Sequence, residues 1–522
     1  MLQNYGVMRV TITCVLYLSG AFSPIVFAAG KAEHVVVVVW DGLRPDFVTE
    51  QFSPTLYQLG REGVVFQNHH AVYLSITEVN GTALATGAYP AHSGIVANNE
   101  FRPRIDPLKA IGTEARATMQ KGDQLSRGHY LQMPTLAEIL QSHDCKTVIA
   151  GAKPVVLLHD RGERADNDYV GINLFAGNTL PNGWLERIRK LLGPFPALEK
   201  TKAKRDDWTT HALIGPLWEG GVPPFSLLWL NEPDYSQHET GPGSATSVAM
   251  LKNSDNNLAL VLRELETKGL RAKTDIFVVS DHGFSTISGI VDVAGALTNA
   301  GFKATREFKT PPAKDDILVV GNGGSVLLYI TGHAPGLTRK VVDFLQGQSF
   351  SGVLFTRQSL PGTFALETVG LNSPDAPDVI IALRWSPEKN VAGTPGLELC
   401  DEAGRQPDQG IHGTLSRFDM HNTLIATGPD FRRGVVSSLP SGNVDVAPTV
   451  LWVFGIKPPK PMDGRVMTEA LTVTGTKVQA SKPSRLEARQ EHEKFVWQQY
   501  LKITRVNGVS YIDEGNGSAT PK

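Results

Sequence analysis

Cysteine is scarce in this chain: three residues in 522, at Cys14, Cys145 and Cys400. That excludes a thiolate metal cluster and a disulfide-built scaffold, since two distant cysteines outside the leader cannot supply either. An oxidising compartment would permit a bridge between Cys145 and Cys400. Excess charge is also absent: 50 Lys and Arg stand against 52 Asp and Glu, with no dominant basic block. A nucleic-acid partner is therefore not expected. Beyond residue 30 no stretch has the ~20 apolar residues that a spanning helix needs. No repeat of fixed period is visible.

What remains is an ordinary globular composition, 41% hydrophobic and 20% charged, long enough for one large α/β domain with insertions. The first 29 residues stand apart. Arg9 precedes the apolar run VTITCVLYLSGAFSPIVFAAG, which ends in small residues and reads as a signal peptide. The alternative is a retained anchor; Ser23 and Pro24 interrupt the run and favour cleavage. The expectation is a secreted or periplasmic protein with no membrane span after cleavage. No sequence signal addresses its oligomeric state.

Short β-branched runs then alternate with helical stretches. Strands are predicted at 35–41, 147–151, 225–231, 275–280, 325–330, 378–383 and 423–427. Helices are predicted at 53–61, 78–87, 134–142, 246–268, 338–346 and 445–454. This alternation predicts a doubly wound α/β fold, with a mostly parallel central sheet and helices on both faces. Gly-rich turns and Pro-rich loops mark 301–404 as a smaller inserted α+β subdomain. The catalytic core is then 30–300 with 405–470. Residues 471–522 read as a C-terminal extension with a frayed end.

Chemistry-bearing residues fall where strands end. Asp41 follows the five-valine run, Asp234 and His238 follow FSLLWLNEP, Asp281 and His282 follow TDIFVVS, and His412 sits in GIHGT. Open α/β sheets bind ligands at the carboxyl ends of their strands. Taken alone, Asp41 could cap a turn, the Asp281–His282 pair could be a buried pair without metal, and His412 could be structural. Together with Thr77, these residues suffice for two zinc-like ions with open positions for a substrate. Thr77 precedes a helix-compatible stretch. It could be only an N-cap, or it could be a nucleophile whose alkoxide needs a divalent cation to form at neutral pH.

The 73–99 segment, with N-E-P-D-x3-H, S-D-H-G and H-G, resembles the alkaline phosphatase superfamily. It is most similar to the branch of nucleotide pyrophosphatases/phosphodiesterases, over roughly residues 34–455. The resemblance implies a phosphoester hydrolase with two zinc ions acting on a small phosphoester or nucleotide. It implies that Asp234, His238 and His412 ligate one ion, and that Asp41, Thr77, Asp281 and His282 ligate the other. Thr77 takes the nucleophile's place and forms a phosphothreonine that water then displaces. Asn98 resembles the amide that donates to a phosphoryl oxygen.

Two departures bear on the substrate. The branch commonly has an aromatic residue and a proline after the nucleophile, where this chain has Glu78-Val79-Asn80-Gly81. Some monoesterases of the superfamily bind phosphate through a Lys-Asp-Arg triplet. Here the triplet is His159-Asp160-Arg161, with Lys153 nearby, so Lys153 and Arg161 are candidate phosphate contacts. Diester or pyrophosphate substrates are the expectation, with a monoesterase as the alternative. From a different class comes a non-catalytic binding protein on the same fold, although no ligand position is missing. His69-His70, His92 and His421 are candidates only for supporting or structural roles.

Overall fold

Five consecutive valines must be buried on both faces, and a central parallel strand is where that is possible. In the computed structural model, which describes residues 30–163, 165, 170–473 and 480–522, Val35–Val39 lie at the middle of the largest sheet. The strands of that sheet are, in chain order, β1 (His34–Trp40), β2 (Val64–Phe66), β3 (Thr147–Gly151), β4 (Gly171–Phe175), β5 (Asn178–Leu180), β6 (Phe225–Leu230), β7 (Thr274–Val279), β8 (Leu424–Thr427) and β9 (Val435–Ser437). Their spatial order is β9-β2-β8-β7-β1-β6-β3-β4-β5. The run β7-β1-β6-β3-β4 is parallel throughout; β8 and β5 run antiparallel to their neighbours.

Helices cover both faces. One is α1 (Thr77–Thr86), buried along its whole length and stopped by Gly87 in the left-handed region (φ 63°). On the other face, the amphipathic α3 (Ala245–Thr267) packs Leu251, Leu258, Val261 and Leu265 against the strand side chains Val36 and Val38. The fold is thus doubly wound α/β, as the alternation of elements predicts.

Within 301–404, strands from Ala304–Thr305 to Val379–Leu383 form a six-stranded sheet. Trp385–Lys389 and Pro395–Cys400 instead pair, directly or through each other, with Ser285–Ile290 of the segment before. Cys145 and Cys400 are both free thiols.

The chain end differs from expectation. Lys482–Glu491, Phe495–Val506 and Val509–Pro521 form a three-stranded antiparallel sheet that runs almost to the last residue. The cause is legible afterwards. Asn507 (φ 49°) and Gly508 (φ 88°) make a two-residue hairpin turn, whose twist suits flanking strands. The alternating Trp497, Gln499, Leu501 and Ile503 supply a buried face.

The leader expectation lies outside the described residues. Among the described residues, no helix is long and apolar enough to cross a membrane.

Candidate active site

Three neighbouring strands deliver most of the site from their carboxyl ends. Asp41 follows β1, Asp281 and His282 follow β7, and Asp234 opens the short helix α2 (Asp234–Thr240) just after β6. His238 lies one turn further along α2, so Asp234 and His238 share a face. His412 arrives from another sheet, immediately after Gly410–Ile411. Two groups result: Asp234, His238 and His412, and Asp41, Asp281 and His282, with ligand atoms in each within 4.8 Å of one another. The His282 and His412 rings stack between them, centroids 3.6 Å apart.

The three imidazoles are oriented alike. Nδ1 of His238 faces the Gly410 carbonyl at 3.0 Å, that of His282 the Gly283 carbonyl at 2.9 Å, and that of His412 the Ser75 carbonyl at 2.9 Å. A carbonyl only accepts, so each Nδ1 carries a hydrogen, and in the neutral tautomer the lone pair is then on Nε2. Those Nε2 atoms face carboxylates. His282 lies 3.3 Å from Asp281 and 3.5 Å from Asp41. Asp234 lies 3.4 Å from His238 and 3.6 Å from His412. The oxygens concerned, Asp41 Oδ1, Asp234 Oδ1 and Asp281 Oδ2, are buried and have no hydrogen-bond partner among the described residues.

A buried lone pair facing a buried carboxylate is unfavourable unless a cation lies between them. Two ligands on one tetrahedral zinc sit about 3.3 Å apart, given bonds of about 2.0–2.2 Å, and the observed separations match. The donor set therefore fits two divalent ions. Backbone carbonyls holding the far ring nitrogen are the usual orienting partners of metal-ligating histidines.

Thr77 stands against the second group. Its hydroxyl donates to His282 Nε2 at 3.2 Å, and it opens α1. Asn80, one turn along, fixes the approach. Its Nδ2 donates to the carbonyls of Val72, Leu74 and Ile76, and its Oδ1 accepts from the Val72 amide. Asn98 Oδ1 accepts from the Glu78 amide at 3.1 Å, which settles its orientation and leaves the Nδ2 hydrogens for another acceptor.

Lys153, following β3, places Nζ 2.6 Å from Asp41 Oδ2 and 3.8 Å from Asp234. Burial pushes its ammonium down, but Asp41, Asp234 and Asp281 outweigh burial and hold it well above the usual lysine range. Burial, then the charge of Asp41, holds Asp281 well above the carboxylate range, and burial also raises Asp41. Burial works the same way on Asp234, but His238 and Lys153 overcome it and hold that carboxyl well below. Burial, then His282 and His238, keeps His412 neutral. One lysine against three buried carboxylates leaves the site short of positive charge.

Arg161 is not brought to this cluster. Its guanidinium is engaged by Asp123 at 2.9 Å and Glu138 at 3.2 Å. His159 is buried beside Trp229. Glu78 turns inward; burial and neighbouring Glu114 hold its carboxyl well above the usual range.

Several supporting residues escaped the sequence reading. Trp229 lies beside Val39 in the sheet register, and its indole N–H donates to Asp41 Oδ2 at 2.8 Å. Asn443 donates to the Asp281 carbonyl at 2.6 Å and to Asn80 Oδ1 at 2.9 Å, joining the two halves of the site. The position of Trp229 two register steps from a strand-end aspartate, on the same face of the sheet, was available as a signal; Asn443 and Glu114 had none.

Two clefts meet at Asn98. One, of 530 Å³, is lined by Glu78, Asn98, Glu114 and Phe175. The other, of 250 Å³, is lined by Asn98, His238, Arg405 and His412.

Solved structures share this doubly wound architecture. Human ectonucleotide pyrophosphatase/phosphodiesterase 5 superposes with a TM-score of 0.58 at 15% identity, covering 84% of this chain and 100% of its own. An inactive form of the murine protein, solved in complex with AMP, gives 0.58 at 16%, with the same coverage. By sequence, bis(5'-adenosyl)-triphosphatase enpp4 of Mus musculus is 21% identical over 435 residues, 82% of this chain and 79% of its own. Venom phosphodiesterase of Naja atra is 26% identical over 260 residues, 49% of this chain and 26% of its own. Residues 35–398 match the model of the type I phosphodiesterase / nucleotide pyrophosphatase family, and the chain belongs to that family, within the alkaline phosphatase superfamily.

Proposed function

We propose that this protein is an exported, zinc-dependent phosphodiesterase or nucleotide pyrophosphatase that works through a phosphothreonine at Thr77. The supporting observation is the pair of carboxylate–imidazole groups, with partnerless oxygens facing imidazole lone pairs and the Thr77 hydroxyl against one of them. Asp234, His238 and His412 would hold one ion, and Asp41, Asp281 and His282, with Thr77, the other. When bound, the two ions supply Lewis acidity to the phosphoryl group and make the threonine hydroxyl acidic enough to react.

The chain's own groups do the rest. Asn80 and the backbone it ties down hold Thr77 in place for attack on phosphorus. Asn98 offers its Nδ2 hydrogens to a non-bridging oxygen, where charge builds in the transition state. Trp229 and Lys153 occupy Asp41 Oδ2, so Oδ1 is the oxygen that would hold an ion.

A diester carries two substituents on phosphorus, and the clefts on either side of Asn98 accommodate one each. The larger, with Glu78 and Glu114, suits a hydroxyl-bearing group such as a nucleoside better than a second phosphate. The smaller, at His238 and His412, suits the leaving group. A monoesterase would want a second cation on the phosphate; Arg161 is held elsewhere by Asp123 and Glu138, so that reading draws less support. Export rests on the leader at 1–29 and is tested by N-terminal sequencing of the mature protein.

The decisive assay compares a bis-aryl phosphate, an aryl monophosphate and a dinucleoside polyphosphate before and after chelation. Diester and polyphosphate turnover should exceed monoester turnover, and all should vanish with the metal. Undiminished activity in a verified metal-free sample would refute the metal reading, and monoester preference would refute the diesterase reading.

A further inference from the structure

The combination seen at the active-site histidines, Nδ1 on a backbone carbonyl and Nε2 facing a carboxylate, recurs away from the three strand ends that build that site. His70, in the two-residue strand His69–His70, points Nδ1 at the Ser441 carbonyl, 3.0 Å away. The carbonyl accepts, so Nδ1 carries a hydrogen, and in the neutral tautomer the lone pair is then on Nε2. That Nε2 lies 3.1 Å from Oδ1 of Asp513, in the C-terminal sheet. The other oxygen of Asp513 is already taken, accepting from the Thr504 hydroxyl at 2.9 Å. His421 completes the group, its ring centroid 4.4 Å from that of His70. A backbone bridge between His70 and His421 holds the two side by side. The structure gives neither ring nitrogen of His421 a hydrogen-bond partner among the described residues.

Neighbouring His69 shows the contrast. Both of its nitrogens are engaged, by Ser441 Oγ at 2.9 Å and Asn443 Oδ1 at 3.0 Å, as befits a purely structural imidazole. His70 is engaged at both nitrogens too, but its second partner is the Asp513 carboxylate, and His421 beside it has neither ring nitrogen bonded among the described residues. One nitrogen from each and one oxygen of Asp513 lie within 4.8 Å of one another. The 3.1 Å separation is close to the roughly 3.3 Å between two ligands of a tetrahedral zinc.

From this geometry we infer that His70, His421 and Asp513 form a further divalent-metal site, of the zinc-binding His2Asp class. Each ligand has the orienting partner expected around a metal, Ser441 for His70 and Thr504 for Asp513, while the strand bridge sets His421. The site would be structural, because it pins three separate parts of the chain. Asp513 belongs to the C-terminal sheet. His70 leads into the segment carrying Thr77. His421 follows the Arg417–Met420 turn, whose Phe418 and Asp419 carbonyls accept from the Phe284 and Gly283 amides just beyond His282.

The test uses the full chain with Asp234 and Asp281 both replaced by Ala, which disables the two active-site groups and isolates this one. After equilibration with Zn2+ and desalting, elemental analysis should find about one zinc per chain. Adding Asp513→Asn or, separately, His421→Gln should remove it. Zn2+ should also raise the melting temperature of the parent variant and leave that of the two derivatives unchanged. Circular dichroism confirms that each variant is folded, and the two derivatives guard against one of them failing. If zinc content is the same with and without these substitutions, His70 and Asp513 are only an ion pair and the inference is overturned. A parent variant that retains no zinc overturns it equally.

Discussion

Replacing Lys153 by Met separates two opposed effects on metal affinity. Lys153 Nζ lies 2.6 Å from Asp41 Oδ2 and 3.8 Å from Asp234, so it touches one carboxylate of each group. Its charge repels any cation bound there. Unit charges about 4 Å apart interact by ~4 kcal/mol at an effective dielectric constant of 20. Lys153 is 15% exposed and can swing outward, so ~1–3 kcal/mol is the reasonable share of that repulsion that its removal relieves. Against this stands the loss of a charged partner for Asp41 Oδ2, about 1.5–3 kcal/mol for such a hydrogen bond, but it is lost from the metal-free and the metal-bound protein alike and so largely cancels. Trp229 still donates to the same oxygen at 2.8 Å, so Asp41 keeps its orientation. Relief of repulsion should win. The variant should bind zinc about tenfold more tightly, read as a higher chelator concentration for half-inactivation or directly in a zinc-buffered titration. Its KM for an anionic phosphodiester should rise, because an attractive charge has gone. Weaker zinc binding in Lys153→Met would show that Lys153 acts mainly as an orienting group, and the charge argument would be refuted.

Thr77→Ala should lower turnover by on the order of 10³-fold or more while leaving zinc content nearly unchanged; elemental analysis beside a diester assay checks both. Trp229→Phe leaves Asp41 Oδ2 without its indole donor and should weaken metal binding by roughly tenfold, the usual scale for such orienting partners, measured by the same zinc titration. Asp275 gives a pH signature. Burial, then Asp430, raise its carboxyl to about 8, so the folded chain holds a proton that the unfolded chain releases near 4. Its contribution to stability is full below about 4 and is lost as pH rises through about 8. Asp275→Asn should therefore gain melting temperature relative to the parent protein as pH climbs from 4 to 8; a difference that shrinks over that range would contradict the assignment.

Most of the scaffold was legible because its signals are local. Val35–Val39 can only be a strand buried on both sides, and the residues after β1, β6 and β7 are polar where an apolar run ends. The residues that the fold gathers there could be picked out for the same reason: Asp41, Asp234, Asp281 and His282 are each tied to a strand terminus. Asn443, Glu114 and Asn80 were not, because they act through tertiary hydrogen bonds and burial that no period or spacing reports. Arg161 misled for a related reason. Its place in a familiar triplet says nothing of Asp123 and Glu138, which approach from elsewhere in the chain. The tail was misjudged by composition: Gly, Ser and Thr in its last residues suggested fraying, while the Asn507-Gly508 turn and alternating apolar positions were the stronger signal for strands.

Because Asp41, Asp234 and Asp281 hang from three adjacent rungs of one parallel ladder, the distance between their anchors is an inheritance of backbone spacing, about 4.8 Å per strand. Loops bordering the clefts are free to lengthen, shorten or change sequence without disturbing that pitch. If the proposed function holds, selectivity can drift at Glu114 or Arg405, which border the clefts, while the strand-end cluster keeps its dimensions. Re-engineering toward new leaving groups should start at those borders and leave the three strand ends alone.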